Sequence, residues 1–504
     1  SQPVECLGLS FPNDDERRKH FLGILREKLT DPEFRKIEGF PIGADEDILA
    51  LSDPPYYTAC PNPWLADFIK HYGKPYDPNV PYSREPFTAD VSEGKNDPIY
   101  NAHSYHTKVP HKAIMRYILH YTEPGDVVFD GFCGTGMTGV AAQLCCDKSA
   151  IRELCYVVST DGTVKDSSGN ILSRIGPRRC VLAELSTAAT FIARGYSTSF
   201  AESRFAREAQ RILSEVETAL LSLYSTQHKS SNQSGMIDFT VLSDIFSCEN
   251  CGHAIVLWDV VIDPETRRRI SRNEIPCPNC KHVGDIRQMS RVMETYQDPA
   301  TGAIAKRVKQ KPIFIQYRCG GNKYEKVPEE SDLIAAKKCD EELLTLDVPY
   351  PMLEMPDGLR KAKDAYHLRG ITHTHHFFTS RNLIAFARLW HECSKQSGRL
   401  GHQLRFWLTS VALGFTKLNR YFESSYSQVN RYMKGAFYVA PFISEVRPGY
   451  ALNGKINRLS QLGYAYDGNT IISTGSTTQL TIPSCSVDYI FTDPPYGAAV
   501  QYGE

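Results

Sequence analysis

The sequence lacks the features that would place it in a membrane or on a secretory route. Its 504 residues contain no run approaching the ~18 apolar residues that a membrane span needs. The segment Ser1–Cys6 has no basic stretch followed by an apolar one, which is the pattern of a signal peptide. We therefore expect a cytoplasmic protein without membrane contact. The chain also starts without Met, which indicates that residues were removed or that the start was engineered.

The sequence also has no excess of charge of either sign and no compact cysteine framework. Its 57 Lys and Arg residues balance 58 Asp and Glu residues, so any affinity for nucleic acid must come from local basic faces. Its 15 cysteines are spread over a long chain, which in a reducing cytoplasm favours thiols or metal ligands over disulfides. The length predicts two or three domains.

Four blocks follow one another along the chain. Residues 1–100 form an extension that mixes a helical pattern with Pro-rich and Tyr-rich sequence. Residues 101–200 alternate strand and helix patterns, as a parallel α/β sheet does, and the α/β pattern resumes over 466–504. Residues 201–465 between them differ in pattern, so they predict a large insertion into one α/β domain. Within the first α/β part, Tyr156–Leu172 predicts an inserted β-hairpin.

A glycine-rich turn marks the first strand of the predicted sheet. Val127–Asp130 reads as a short buried strand, and Gly131–Gly139 follows it before an apolar helix. This geometry brings the backbone close to a ligand at a helix N-terminus. Gly134 and Gly136 leave the space that side chains would occupy, and Phe132 can line a pocket. The spacing differs from both the dinucleotide and the phosphate-loop signatures.

Two neighbouring segments strengthen this prediction of a cofactor site. Tyr105–Pro110 precedes an amphipathic helix, Ala113–Tyr121, that leads into the strand. Arg179–Glu184 reads as a second strand that ends in an acid, and such an acid can accept hydrogen bonds from ribose hydroxyls. Glu184 also precedes the helix Leu185–Arg194, where the helix dipole alone favours a negative charge. Both roles are compatible.

The most informative stretch is Asp493-Pro494-Pro495-Tyr496 after the apolar strand Val487–Thr492. A base amine is a poor nucleophile because its lone pair is delocalised into the ring. Asp493 and the Pro494 carbonyl can accept both amine hydrogens, which aims the lone pair at an electrophilic methyl group. The two prolines hold that carbonyl in place, and Tyr496 can stack on a base rotated out of the duplex.

The same tetrapeptide occurs earlier, at Asp53–Tyr56, also after an apolar run, Ile48–Leu51. Only about 50 residues separate it from the segment at 105–110. That is too few for the remaining strands of a sheet in the order where catalysis precedes cofactor binding. We therefore assign catalysis to the later copy and expect the earlier one near the cofactor or substrate entrance.

The insertion contains two Cys-x-x-Cys pairs. Cys248, Cys251, Cys277 and Cys280 have the spacing of a zinc ribbon with four thiolate ligands. All four positions of such a zinc are filled by protein, so it is structural and activates no water.

Two basic segments and a group of histidines accompany these pairs. Arg267–Arg272 and Lys306–Lys311 fit either a solvated hairpin or contacts to DNA phosphates, and the sequence leaves both readings open. His373, His375 and His376 suggest a second metal site, but loop histidines are the more economical reading.

Together these motifs resemble the S-adenosylmethionine-dependent DNA amino-methyltransferases, and the zinc ribbon resembles that of large bacterial DNA methylases of defence or modification loci. The resemblance implies a Rossmann-like, doubly wound sheet of the class I methyltransferase type. It implies methyl transfer from S-adenosylmethionine to a flipped base of double-stranded DNA, with catalysis by Asp493, Pro494, Pro495 and Tyr496. Relatives with Asp at the first position more often modify adenine N6, without excluding cytosine N4. The resemblance assigns cofactor binding to His106, Thr107, Lys108, Asp130, Phe132, Cys133, Gly134, Thr135, Gly136, Glu184 and Leu185.

Three departures from the family pattern matter. Gly475 and Ser476 stand where many relatives place an acidic or amide group near the cofactor adenine. The insertion, which would recognise the target, precedes the third strand rather than following it. The chain stops eight residues after Tyr496, whereas a complete fold needs further strands, so we expect them elsewhere. A cytosine-N4 enzyme, or a non-catalytic DNA-binding subunit acting with other subunits of a modification system, remains an alternative.

Overall fold

A computed structural model describes the residues 3–75, 77–105, 107–231, 233–266, 268–271, 273–424, 427–462 and 468–495. The chain forms two compact units. Among the described residues, the first contains those of 3–205, 397–406 and 458–495, and the second contains those of 206–396 and 407–457.

The regular elements are numbered in chain order. The strands are β1 (Val4–Cys6), β2 (Leu9–Phe11), β3 (Tyr57–Thr58), β4 (Val127–Asp130), β5 (Val157–Val158), β6 (Thr163–Lys165), β7 (Ile171–Arg174), β8 (Arg179–Glu184), β9 (Ser225–Gln227), β10 (Ser234–Ser247), β11 (Ala254–Val256), β12 (Glu274–Pro276), β13 (Val283–Asp285), β14 (Met293–Gln297), β15 (Ile304–Val308), β16 (Gln310–Cys319), β17 (Asn322–Lys326), β18 (Phe442–Val446), β19 (Thr470–Thr474) and β20 (Tyr489–Ile490). The helices are α1 (Asp14–Leu29), α2 (Pro32–Arg35), α3 (Asp45–Leu51), α4 (Leu65–Tyr72), α5 (His111–Tyr121), α6 (Met137–Leu144), α7 (Lys148–Glu153), α8 (Thr187–Ser197), α9 (Glu202–Ala219), α10 (Leu221–Tyr224), α11 (Leu257–Val261), α12 (Glu330–Leu344), α13 (Leu359–Asp364), α14 (Ser380–Ser394), α15 (Gly398–Thr409) and α16 (Pro448–Leu459).

The first unit is built on a five-stranded parallel sheet with the order β20-β4-β8-β19-β3. Strands β4, β8 and β19 are almost wholly buried, which explains their continuous apolar sequence. Helix α6 packs on β8, and α8 packs on β19. This mixed α/β arrangement is compatible with the Rossmann-like fold that the sequence predicts.

One local prediction and one apolar run of the first unit can be compared with the structure. The predicted hairpin over 156–172 is present, and β7 extends it to a three-stranded antiparallel sheet, β5-β6-β7. The apolar run Ile48–Leu51 belongs to a helix, α3, and not to a strand. Its first turn carries Asp45, Glu46 and Asp47, and negative charge stabilises a helix N-terminus.

The second unit is centred on a six-stranded sheet whose pairings are antiparallel. The 14-residue strand β10 pairs with β16 and β18 and is buried along most of its length. Helix α14 begins at Ser380, and the side chain of Thr379 caps it by accepting the Asn382 N–H. Within the described ranges, no helix has the length and apolar character to cross a membrane.

Candidate active site

Strand β4 ends in Asp130, which holds the glycine-rich turn in shape. One carboxylate oxygen accepts the Phe132 N–H at 3.1 Å, and the other accepts the Thr138 hydroxyl at 2.5 Å. Burial raises the pKa of Asp130 to about 6, while hydrogen bonds from Thr138, Phe132 and Thr492 oppose that rise. Asp130 therefore stabilises the turn through hydrogen bonds to both of its carboxylate oxygens. No local sequence pattern marks Thr138 or Thr492 as a partner of Asp130.

The two glycines of the turn are required for different reasons. Both have a left-handed backbone, with φ of +51° at Gly134 and +77° at Gly136. A Cβ at Gly136 would lie 2.7 Å from the Cβ of Ala193, so its neighbour on α8 forbids a side chain. A Cβ at Gly134 would meet only the Thr107 carbonyl oxygen, at 3.7 Å. The space at Gly134 is therefore open, as a site for a ligand requires.

Glu184, at the end of β8, joins the turn to helix α8. One carboxylate oxygen accepts the Gly134 N–H at 3.0 Å, and the other accepts the Ser186 N–H at 3.0 Å. Ser186 in turn caps α8 by accepting the Ala189 N–H. Each carboxylate oxygen has a further lone pair, so Glu184 can hold the helix N-terminus and still accept two hydroxyl groups.

The same edge of the sheet presents apolar surface and an unsatisfied hydroxyl. Phe132 is 42% exposed and Leu185 is 60% exposed, although they follow the buried strands β4 and β8. The Thr135 hydroxyl is buried and has no hydrogen-bond partner among the described residues. Exposed apolar side chains beside a carboxylate and an unpartnered hydroxyl fit a ligand with an aromatic ring and a ribose. Cys133, between Phe132 and Gly134, is itself buried.

The upstream segment approaches the turn through its backbone. The Thr107 carbonyl is the group nearest to Gly134, as described above. Lys108 donates from Nζ to the His103 carbonyl at 2.9 Å and lies over the ring of Tyr100 at 4.5 Å. Its charge is thus directed towards its own segment. His106, predicted to bind the cofactor, lies outside the described residues.

The second Asp-Pro-Pro-Tyr copy follows β20, which lies directly beside β4. Asp488 fixes this pairing, because its carboxylate accepts the Val127 N–H at 2.7 Å while its own N–H donates to the Val127 carbonyl at 2.9 Å. The Phe491 N–H donates to the Phe129 carbonyl at 3.0 Å. These bonds lead the chain to the carboxyl end of β4, where ligands of parallel α/β sheets bind.

The residues after this strand are open to solvent. Asp493, Pro494 and Pro495 are all exposed. Just before them, the Thr492 hydroxyl is hydrogen-bonded to Asp130. Tyr496 lies outside the described residues, so its predicted stacking stays a prediction.

The first copy has a different position relative to its strand. Asp53 and Tyr57 exchange two backbone hydrogen bonds, at 2.9 and 3.1 Å, so the tetrapeptide forms a tight loop immediately before β3. Strand β3 pairs with β19 at the edge of the sheet, three places from β4. The first copy therefore precedes a strand, and the second follows one.

The hydrogen-bond acceptors of the first copy are already occupied. Arg17 donates to the Asp53 carboxylate at 2.7 Å and to the Pro54 carbonyl at 2.5 Å, and Arg194 donates to the other carboxylate oxygen. Burial alone would raise the pKa of Asp53, but the charges of Arg194 and Arg17 hold it below its usual range. The groups that would accept a base amine are thus engaged by arginine.

In the second unit, the four predicted zinc ligands come together. The Sγ atoms of Cys248, Cys251, Cys277 and Cys280 all lie within 4.8 Å of one another. Each pair forms the same type of turn: the Cys248 N–H donates to the His253 carbonyl, and the Cys277 N–H donates to the His282 carbonyl. These repeated turns and the four converging sulfurs are compatible with a tetrahedral zinc ion.

Polar neighbours of Cys251 and Cys280 favour the thiolate form that a metal requires. The Asn250 amide donates to the Cys280 sulfur at 3.5 Å, and the Asn279 amide donates to the Cys251 sulfur at 3.6 Å. The Asn250 bond and a backbone bond from His282 lower the pKa of Cys280 to about 6.

The histidine group forms a second cluster, in which His376 is hydrogen-bonded at both ring nitrogens and the buried Nδ1 of His375 has no partner among the described residues. His375 and His376 are buried and direct their Nε2 atoms at Asp298, at 3.2 and 2.6 Å. The His376 Nδ1 accepts backbone N–H groups from Thr372 and His373, so Nε2 carries the proton of the neutral ring. A metal-bound histidine usually donates from its second nitrogen instead. This hydrogen-bond pattern favours a structural role for His376.

The predicted phosphate-binding segments are only partly described. Arg268 and Arg269 are exposed, whereas Arg267 and Arg272 lie outside the described residues. In the later segment, Lys306, Lys309 and Lys311 are exposed, while Arg307 is ion-paired with Glu294 and Asp340.

In a comparison with protein families, residues 49–150 match a family described as DNA methylase. This range contains the first Asp-Pro-Pro-Tyr copy and the glycine-rich turn and ends before the second copy. Comparisons with curated proteins and with solved structures find no match. The family implies methyl transfer to DNA, at adenine N6 or cytosine N4. Residues 49–150 are thus similar to a family of DNA methylases.

Proposed function

We propose that the chain transfers a methyl group from S-adenosylmethionine to adenine N6 of double-stranded DNA, with Asp493 and Pro494 as the groups that accept the amine hydrogens. The observation that carries this proposal is the position of β20 beside β4. It supports the proposal because the chain leaves β20 at the carboxyl edge that holds the glycine-rich turn, shortly before Asp493. In the first tetrapeptide, by contrast, the Asp53 carboxylate already accepts hydrogen bonds from Arg17 and Arg194.

Each part of the edge has a separate task in this proposal. Glu184 accepts the ribose hydroxyls, and Phe132 and Leu185 contact the adenine ring of the cofactor. The open backbone at Gly134 admits the ligand, and the Thr135 hydroxyl supplies a further hydrogen bond. The cofactor supplies a methyl group on a positively charged sulfur. Asp493 and the Pro494 carbonyl orient the target amine so that its lone pair points towards that methyl group.

The choice of adenine depends on the aspartate at position 493 and on the resemblance described above. The same resemblance supports a place in a bacterial modification or phage-defence system, together with further subunits. Zinc-ribbon and basic segments of the insertion would contact the DNA backbone.

Product analysis tests the proposed reaction. Incubating the chain with labelled S-adenosylmethionine and DNA, followed by nucleoside mass spectrometry, is expected to yield N6-methyladenine. N4-methylcytosine would show the same fold acting on the other base. Binding of DNA and cofactor without any methylated nucleoside would establish a non-catalytic subunit and contradict the proposal.

We further propose that the four cysteines of the second unit hold one structural Zn²⁺. We expect metal analysis of the purified chain to find about one zinc per chain, and Cys277→Ser to lose it and to destabilise the second unit. Cys319→Ser is a matched control, because Cys319 lies outside the cluster. An unchanged zinc content in Cys277→Ser would overturn this assignment.

A further inference from the structure

The second unit contains a cavity of about 510 Å³ that the methyl-transfer site does not use. Its volume falls within the range of small-molecule sites, roughly 300–1,000 Å³. Part of its wall is aliphatic and comes from the sheet and from helix α12. The apolar lining consists of Ile237, Leu242, Ile245, Val308, Pro312, Ile315, Leu333, Ala335 and Ala336.

The charged lining has an unbalanced excess of positive charge. All four carboxylates that line the cavity are already ion-paired: Glu294 and Asp340 with Arg307, Glu445 with Arg381, and Asp332 with Lys326. Four lining lysines remain, and none of them forms an ion pair with a residue in the described part of the chain. They are Lys309, Lys311, Lys337 and Lys417.

These four lysines differ in their exposure to solvent. Lys309, Lys311 and Lys337 are exposed, as expected for residues at a mouth open to solvent. Lys417 is partly buried, and its Nζ donates to the His376 carbonyl at 3.0 Å. Burial and the nearby charges of Arg307 and Arg369 lower the pKa of Lys417 to about 7. A bound anion would relieve this unfavourable environment.

Two further groups in the wall favour an anion. Helix α14 reaches the cavity at its N-terminus through Thr379 and Ser380, and the positive end of a helix dipole attracts negative charge. Arg381, in the first turn, is 5% exposed, and its Nε has no hydrogen-bond partner among the described residues. Arg381 thus has a buried donor available to a ligand acceptor.

We infer that this cavity binds a nucleotide, with the base on the aliphatic wall and the phosphate on the lysines. The aliphatic wall requires an apolar ring or chain on the ligand, and the surplus of cations requires one or more negative charges. A nucleotide combines both, and the buried Arg381 and Thr240 supply polar groups for the edge of a base. The nucleotide can be free, or it can be one residue of a DNA strand. This inference goes beyond methyl transfer and does not depend on it.

Binding measurements on the full chain test the inference. Calorimetry with dAMP and AMP, with a short single-stranded oligodeoxynucleotide and with inorganic phosphate compares the three kinds of ligand. We expect a nucleotide to bind, and Lys417→Met to weaken it about tenfold or more because a charged hydrogen bond is lost. The double variant Lys309→Ala/Lys311→Ala is expected to act in the same direction without affecting folding, since both side chains are exposed.

Two more variants distinguish the cavity from the surface around it. Ala336→Trp fills the cavity from α12 and should abolish nucleotide binding. Lys338→Ala is the matched control, because Lys338 is an exposed neighbour of Lys337 that does not line the cavity. It should leave binding unchanged.

The possible outcomes distinguish a free nucleotide from a nucleotide within a DNA strand, and they show when the inference is wrong. Binding of dAMP that the oligonucleotide displaces identifies a nucleotide within a strand, whereas binding of free nucleotide alone identifies a soluble ligand. Both support the inference. Inorganic phosphate binding as tightly as dAMP, nucleotide binding insensitive to Ala336→Trp, or no nucleotide binding would each overturn it. Because none of these measurements uses methyl transfer, a failure here leaves the proposed reaction untouched.

Discussion

Replacing Asp493 with alanine is expected to abolish methyl transfer while leaving cofactor binding unchanged. Asp493 lies after β20, and the proposed cofactor contacts come from the turn after β4 and from Glu184. Loss of one preorganised hydrogen-bonding group at a reacting centre typically costs about 10²–10³-fold in rate. Asp493 is one of only two acceptors in the proposal, so we expect a loss at the upper end of this range or beyond.

Single-turnover assays and cofactor titrations of Asp493→Ala measure these two quantities separately. Because Asp493 is exposed, the substitution should not disturb folding, and its unfolding curve should match that of the unmodified chain. Full methyl transfer by Asp493→Ala would contradict the assignment and move catalysis to the first tetrapeptide, at Asp53.

Replacing Asp53 with alanine is expected to destabilise the first unit by about 3–5 kcal/mol, because two buried arginines would lose their shared counter-charge. Arg17 is 1% exposed and Arg194 is 3% exposed. Urea unfolding at neutral pH measures the loss. The matched control is Asp493→Ala, which removes an aspartate side chain from the same place in the second copy of the tetrapeptide, where it is exposed. A loss below about 1 kcal/mol for Asp53→Ala would show that the ion pairs contribute little.

The effect of Asp53 should depend on pH in a defined direction. Its pKa is lower in the folded chain than the ordinary value of about 3.9 in an unfolded chain. Its contribution to stability is therefore complete above about pH 4 and is lost as the pH falls through the lower, folded value. The difference in unfolding free energy between the unmodified chain and Asp53→Ala should accordingly be constant from pH 5 to 7 and shrink in strong acid.

The sequence predicts those parts of the site that depend on neighbouring residues. The strand before the glycine-rich turn, the acid at the end of β8 and the cap at Thr379 all follow from short patterns, and the structure contains each of them. The four cysteines converge because each pair closes its own turn.

The sequence does not predict contacts between distant residues. Arg17 and Arg194 are 36 and 141 positions from Asp53, and no local pattern pairs them with it. The run Ile48–Leu51 is apolar enough for either a strand or a helix, and the acids before it decide for the helix. The Asp298 partner of His375 and His376 is likewise 77 and 78 positions away.

The arginine contacts of Asp53 bear on where the chain can be cut. The family match begins at residue 49, which makes that residue an obvious start for a shortened protein. Such a protein would lack Arg17 and the rest of α1, and it would keep a carboxylate whose neutralisation depends partly on them. The segment that matches the family therefore leaves out part of the charge that neutralises Asp53. A truncated protein that retains Asp14 to Leu29 keeps the Arg17 contact with Asp53, and one that starts at residue 49 loses it.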